Sequence, residues 1–274
     1  MTARHQHMKG DSMKEQYFAG LDGSLAGDRT AKPRSSGMTM VVDWGLGAHA
    51  QHDLTMTAAD HFDFAKIAVG ISRLYTNEVL RAKIDCYLAQ DIEPFPGGMY
   101  LEYAEVHGRL ELYFPAVVEA GYRWVEVSDN IAPVTLEWKK RVIRQAREEF
   151  GLQVLGEVGK KEGLDNPIPL VDNAKTCIDA GAAIVLLEAA ELVGEDVEVQ
   201  REVEEIVSAV GVEQVMFELP GPWIEGVSPH DIHSMRRSLI ERYGTQVNIG
   251  NVAADELMSL EAYRRGLGVN AGQE

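Results

Sequence analysis

Four glycines, Gly121, Gly151, Gly181 and Gly211, recur at a spacing of thirty residues, and Gly244 occupies the same kind of place further on. Each stands where a stretch of helical period stops, the position at which glycine closes a helix in a left-handed conformation. Thirty residues is the length of one strand, one helix and their turns. Short apolar runs alternate with longer stretches of 3.6-residue period throughout this region. The runs predict strands over Thr39–Trp44, Phe62–Val69, Ile92–Pro96, Trp124–Ser128, Gln153–Val158, Ala183–Glu188, Gln214–Leu219 and Val247–Asn251. Helical period fills Asn77–Gln90, Met99–Ala120, Thr135–Phe150, Ile168–Ala180, Val197–Val210, Asp231–Tyr243 and Asp255–Arg265, with a first connection around Gln51–His61. Strands alternating with helices make a parallel sheet, and near-continuous apolar strands are buried on both faces. Eight such units predict closure into a single (β/α)8 TIM barrel, a fold that commonly takes ~250 residues. No G-x-G-x-x-G follows the first strand, so a dinucleotide-binding fold has little support.

Residues 1–37 are polar, rich in Gly, Ser, His and Lys, and carry no apolar period. They read as a flexible arm, or as one that orders only against a partner subunit. No Pro/Gly/Ser linker divides the rest of the chain, so 38–268 is expected to be one barrel domain with a short tail at 269–274. No apolar run approaches the ~20 residues of a membrane span, and no secretory segment opens the chain, so the cytoplasm is the expected location. Cys86 and Cys177 lie in helical patterns beside apolar neighbours and read as buried thiols of a reducing compartment. A net charge of −17 over 274 residues argues against a nucleic-acid partner, because phosphates would be repelled. A small anionic substrate then needs a local reversal of sign.

The polar residues that interrupt the apolar runs are the informative ones. Asp43 ends the first strand, Lys66 interrupts the second, and Glu126, Ser128 and Asp129 close the fourth. Glu157 with Gly159-Lys160-Lys161 closes the fifth, Glu188 the sixth, Glu218 the seventh, and Asn248 and Asn251 the eighth. In a barrel these ends converge on one mouth, where chemistry is done. One carboxylate at a strand end is ordinarily a helix cap or a solvated rim residue. Five strands ending this way point to a cluster, and clustered carboxylates repel one another unless a cation sits among them. Asp43, Glu126, Glu188 and Glu218 are therefore candidate ligands of a hard divalent ion, Mg²⁺ foremost, which prefers oxygen. The eight histidines are scattered without zinc-ligand spacing and read as surface or capping residues.

In extended geometry residues two apart share a face, so Glu157 at the mouth brings Lys161 with it by way of Gly159, while Lys160 points away. A lysine held there can act as a proton donor; the plain alternative is a pair of solvent-facing loop lysines. Pro96-Gly97-Gly98 is a tight turn where backbone can approach a ligand closely. Asn248–Asp255 and Leu219–Trp223 come after strands eight and seven, where many barrels bind phosphate through backbone N–H groups.

Taken together, PGGMYLEYA (96–104), VEVSDN (125–130), LGEVGKK (155–161), Glu188, MFELP (216–220), VNIGNV (247–252) and SLEAYRRGL (259–267) resemble the phosphosulfolactate synthase family of coenzyme M biosynthesis, in the family's order and over roughly residues 38–268. The resemblance implies addition of sulfite to C3 of phosphoenolpyruvate to form (2R)-phospho-3-sulfolactate, with Mg²⁺ stabilising the developing enediolate. It places the proton-donating lysine at Lys161, with Glu157 beside it. It implies a homo-oligomer, a trimer among the options. Lys66, Arg73, Gly97, Gly98, Ser128, Asn248 and Asn251 are the expected substrate-binding residues. The chain departs from the family pattern at Trp44, where members tend to have lysine, at Ile67–Ser72, at Ala189-Ala190 and at Gly268–Asn270. Several cationic positions are thereby missing, and Arg73 is placed to replace one. These departures keep open a relative that acts on a different unsaturated acid, and a non-catalytic stress-related homologue.

Overall fold

The computed structural model describes residues 29–159, 168–188, 197–221 and 224–267. Eight parallel strands form one sheet in the order β3-β2-β1-β8-β7-β6-β5-β4. They are β1 Thr39–Asp43, β2 Phe64–Ile67, β3 Glu93–Pro96, β4 Trp124–Val127, β5 Gln153–Val158, β6 Ile184–Glu188, β7 Val215–Glu218 and β8 Asn248–Val252. The helices between them are α1 Ala48–Ala58, α2 Asn77–Leu88, α3 Gly98–Val106, α4 Leu110–Ala120, α5 Leu136–Glu148, α6 Leu170–Ala180, α7 Val197–Val210, α8 Pro229–Tyr243 and α9 Leu257–Arg264. The expected TIM barrel is the observed fold. No helix among the described residues is long and apolar enough to cross a membrane.

The one helix expected over 99–120 is two. Gly108 takes a left-handed φ of 61°, and the chain turns there between α3 and α4. Gly121 and Gly181 close α4 and α6 in left-handed conformations, as the thirty-residue spacing predicts.

The cylinder is hydrogen-bonded everywhere except at its seam between β3 and β4, which lie in contact without a registered ladder. The cause is legible in β3 itself, Glu93-Pro94-Phe95-Pro96. The Glu93 and Gly97 N–H groups donate to Asp63 and Ile67 on the β2 side, at 2.9 and 3.0 Å. In a parallel strand the alternate residues serve the other neighbour, and here those are Pro94 and Pro96, which have no N–H. The seam is held instead by side chains. Phe64 packs edge-on against Phe95 and Trp124, and Arg123 pairs with Glu93 at 2.6 Å.

Residues 29–37 of the expected arm are fastened to the barrel. Arg29 pairs with Glu261 at 3.0 Å, Arg34 with Asp63 at 2.9 Å, and Lys32 donates to the carbonyls of Ala59, Phe62 and Gln90. Residues 1–28 of that arm and the 269–274 tail lie outside the described residues.

Strand pleat sorts the core in two. Val41, Ala65, Val125, Val154, Val185 and Phe217 face outward into the layer shared with the helices. Met40, Phe64, Phe95, Leu155, Leu186 and Met216 face inward and form an apolar floor inside the barrel. The inward residues two positions further along each strand stand above that floor, towards the carboxyl ends of the strands.

Candidate active site

Two residues beyond Phe64, Trp124, Leu155, Leu186 and Met216 come Lys66, Glu126, Glu157, Glu188 and Glu218. All five are buried. One ammonium and four carboxylates therefore make the layer above the floor, and with every group ionised their sum is −3. Lys66 Nζ lies 2.9 Å from Glu126 Oε2 and 3.0 Å from Glu218 Oε1. One oxygen from each of Glu157, Glu188 and Glu218 lies within 4.8 Å of the others. These three come from adjacent strands, so the grouping follows directly from the β5-β6-β7 order.

The electrostatics of the layer follow from burial and crowding. Burial works against the charge on Lys66, but Glu126, Glu218 and Glu157 outweigh it and hold the ammonium well above the ordinary lysine range. Burial pushes the Glu126 carboxyl well above the ordinary carboxylate range; Lys66 opposes this, while Glu157 and Glu218 add to it. Glu126 and Glu157 also share a side-chain hydrogen bond, which needs a proton on one of them. Lys66 thus serves as a charge-balancing group with little tendency to release its proton.

Gly98 N–H donates to Glu126 Oε1 at 3.0 Å. A Cβ on Gly98 would stand 2.4 Å from Ser128 Oγ and 2.8 Å from Glu126 Oε1, so only glycine admits this approach. At Gly97 a Cβ would stand 2.8 Å from the Val69 nitrogen. The two expected substrate-binding glycines thus make room for the neighbouring strand ends and fix one carboxylate. At Gly159 an added Cβ would stand 2.4 Å from the Cβ of Glu188, which ties the end of β5 to that of β6.

Other expected site residues lie elsewhere. Asp43 is one residue out of step with Met40 and Val42 and faces outward, towards α2. Its oxygens take the Lys83 ammonium at 2.6 Å, the Tyr87 hydroxyl at 2.7 Å, and the N–H groups of Gly45 and Leu46, both at 2.8 Å. It stands outside the Glu157–Glu188–Glu218 group and anchors the turn after β1. Asn248 opens β8 at the opposite end of the barrel; its oxygen accepts from Met38 N–H at 2.9 Å and its amide donates to the carbonyls of Glu213 and Val215. Ser128 donates to Glu102. Arg73 is exposed, on the short helical turn Ile71–Leu74, and lines a cavity of about 480 Å³ between α2, α3 and α4 rather than the mouth. Asn251, with a left-handed φ of 55°, lines a different cavity at the ends of β1, β7 and β8. Lys161 lies outside the described residues.

Among the buried helix charges that sequence reasoning passed over, Glu102 and Lys139 bear on the strand ends that carry the site. Glu102 on α3 accepts from Ser128 and from the N–H groups of Asn130, Ile131 and Ala132, the last three at 2.9, 2.6 and 2.8 Å, and so shapes the loop after β4. Lys139 on α5 pairs with Asp129 at 3.2 Å, donates to Asn173 at 2.9 Å, and donates to the Glu157 carbonyl. It therefore holds the backbone of β5 where Glu157 projects. The signal was present: Lys139 falls on one helical stripe with Trp138, Val142, Ile143 and Ala146.

A comparison with known proteins agrees with this architecture and narrows it. The family model described as (2R)-phospho-3-sulfolactate synthase (ComA) matches residues 27–270. The phosphosulfolactate synthase of Methanothermobacter thermautotrophicus is 31% identical over 255 residues, covering 89% of this chain and 94% of that protein. That of Methanocaldococcus jannaschii is 32% identical over 242 residues, covering 84% and 92%. That of Bacillus subtilis is 26% identical over 250 residues, covering 87% and 93%. Among solved structures, the YdjI aldolase of Escherichia coli overlays with a TM-score of 0.51 at 12% identity, covering 82% of this chain and 78% of that one, a likeness of fold alone. A family match across almost the whole barrel, together with two relatives above 30% identity, places this chain in the phosphosulfolactate synthase family.

Proposed function

We propose that this chain adds sulfite to C3 of phosphoenolpyruvate, forming (2R)-phospho-3-sulfolactate. Family membership supports the reaction class, and one observation carries the assignment to this site: a buried carboxylate layer at the strand ends with Lys66, the one lysine among the described residues there, paired into it. The donor set fits a hard divalent ion, because Glu157, Glu188 and Glu218 offer only carboxylate oxygens and their mutual repulsion favours a cation among them. Those three residues would hold Mg²⁺, whose charge, when bound, favours a developing enediolate on the substrate carboxylate.

The remaining chemistry belongs to side chains. The sulfur lone pair of sulfite forms the C–S bond at C3, and the C2–C3 π pair moves onto C2 and the carboxylate. Lys161 delivers the proton to C2, and the phosphate ester is kept. Lys66, paired with Glu126 at 2.9 Å and Glu218 at 3.0 Å, takes the charge-balancing role instead. Glu157 leads into the Gly159-Lys160-Lys161 run, and the Lys139 contact fixes the strand from which that run departs.

The test is to incubate the full chain with Mg²⁺, sulfite and phosphoenolpyruvate and follow the adduct by mass spectrometry. Adduct that disappears with Lys161→Ala and with chelation of the metal is the expected result. No adduct from the unaltered chain, or undiminished adduct from Lys161→Ala, refutes the reading.

A further inference from the structure

The cavity of about 480 Å³ between α2, α3 and α4 falls within the size range of small-molecule pockets. None of Lys66, Glu126, Glu157, Glu188 and Glu218 lines it, so it is separate from the carboxylate layer. Its wall carries four aromatic rings, those of Tyr75, Tyr100, Tyr113 and Tyr122. Tyr100 and Tyr113 meet edge to face, with centroids 5.9 Å apart and planes at 69°. Leu80 and Val117 extend the apolar part of the wall.

The sign of charge is reversed here. The chain as a whole carries −17, yet the described lining sets two arginines against one glutamate. Arg81 is engaged, because it donates to the Glu119 carbonyl where α4 ends. Arg73 stands exposed on the turn after β2 and has no ion-pair partner among the described residues. The hydroxyls add neutral donors. Tyr113 is only 6% exposed, and its hydroxyl has no hydrogen-bond partner among the described residues. A buried tyrosine hydroxyl ordinarily finds one. Burial, with Glu126 adding to it, holds that hydroxyl well above the ordinary tyrosine range, so it keeps its proton. The Ser72 and Tyr122 hydroxyls share one hydrogen bond of 2.9 Å, which leaves the second proton of the pair to be donated onward.

We infer that this cavity is a second binding site, for an aromatic carboxylate whose ring packs among the tyrosines and whose charge is met by Arg73. An arginine fork matches the two oxygens of a carboxylate, and one unpaired guanidinium balances one negative charge rather than the two of a phosphate. The ring is favoured by the walls, since aromatic side chains prefer offset or edge-on aromatic partners. The inference stands on the cavity and does not depend on the proposed sulfite addition.

The measurement is isothermal titration calorimetry of the full chain with Mg²⁺ present, using three probes. 2-Naphthoate carries both ring and charge, 2-naphthalenemethanol the ring alone, and acetate the charge alone. 2-Naphthoate is expected to bind at least about ten-fold more tightly than either of the others. Arg73→Gln should weaken it by about ten-fold or more, towards the affinity of the alcohol, because a hydrogen bond to a charged group is lost. Ala116→Phe, which leaves every charge in place and fills the cavity from its lining on α4, should abolish the binding. Both positions are exposed, so the folded state is expected to survive and is checked by melting. Tyr113→Phe, which removes only the unpartnered hydroxyl, should weaken 2-naphthoate by a few-fold. No preference for 2-naphthoate over both other probes overturns the site. So does a preference that survives either Arg73→Gln or Ala116→Phe in a chain that melts normally, because the probe is then bound elsewhere.

Discussion

Replacing Lys66 by methionine keeps the aliphatic stem and removes the ammonium that faces Glu126 at 2.9 Å and Glu218 at 3.0 Å. Removing one partner of a buried ion pair costs about 3–5 kcal/mol, because the remaining charge stays out of water without compensation. A domain of this size loses about 2–4 °C of Tm per kcal/mol, so the variant should melt about 6–20 °C below the unaltered chain at neutral pH. The deficit should depend on pH with a definite sign. The Glu126 carboxyl already sits above the ordinary range, chiefly through burial, with Lys66 opposing the rise. Without Lys66 it rises further, and the folded state then binds more protons than the unfolded one. Stability is lost as pH climbs from the ordinary carboxylate range through the raised folded value, and is regained as pH falls. Calorimetric melts at about pH 5 and about pH 8 should therefore show a smaller deficit at the lower pH. A second substitution, Glu126→Gln, should recover part of the loss at the higher pH by removing one ionisable group. A Lys66→Met protein that melts within about 2 °C of the unaltered chain, or whose deficit is the same at both pH values, refutes the charge-balancing role.

Two further outcomes concern the packing. Gly98→Ala puts a methyl group 2.4 Å from Ser128 Oγ and 2.8 Å from Glu126 Oε1, and overpacking of this kind costs about 1–3 kcal/mol. A lowered Tm with reduced sulfite uptake is expected, and an unchanged melt with full activity contradicts the tight approach. Lys139→Met releases the Glu157 carbonyl and removes the ammonium that pairs with Asp129. If Lys139 positions β5, kcat falls more than KM rises once the variant's stability is matched by lower temperature; a loss confined to stability, with kcat intact, removes that role.

The barrel was legible in the sequence because its signals are local and repeated. Glycines at helix ends, the spacing of thirty, and eight apolar runs each report on their own segment, and the parallel arrangement follows from alternation. The carboxylate layer was legible for the same reason on four strands: Glu126, Glu157, Glu188 and Glu218 each stand two residues beyond an apolar residue at the level of the barrel floor. What sequence alone left open was the facing of each strand. A strand's side chains alternate, so a one-residue difference in register sends a strand-end carboxylate to the opposite face. Asp43 has the right composition and the wrong parity, and only the packing of α2 shows Lys83 and Tyr87 waiting for it. Asn248 and Asn251 lie three residues apart on one strand, yet one ties the far end of the barrel while the other lines a cavity at the mouth. Glu102 looks like a surface charge until its helix docks and turns it inward, whereas Lys139 already lies on the apolar stripe of its helix. The polarity of the mouth, acidic on β4 to β7 and apolar on β1 and β8, depends on bringing Val42 and Gly250 beside Glu218. Closure of the cylinder does that, because it makes neighbours of the first strand and the last.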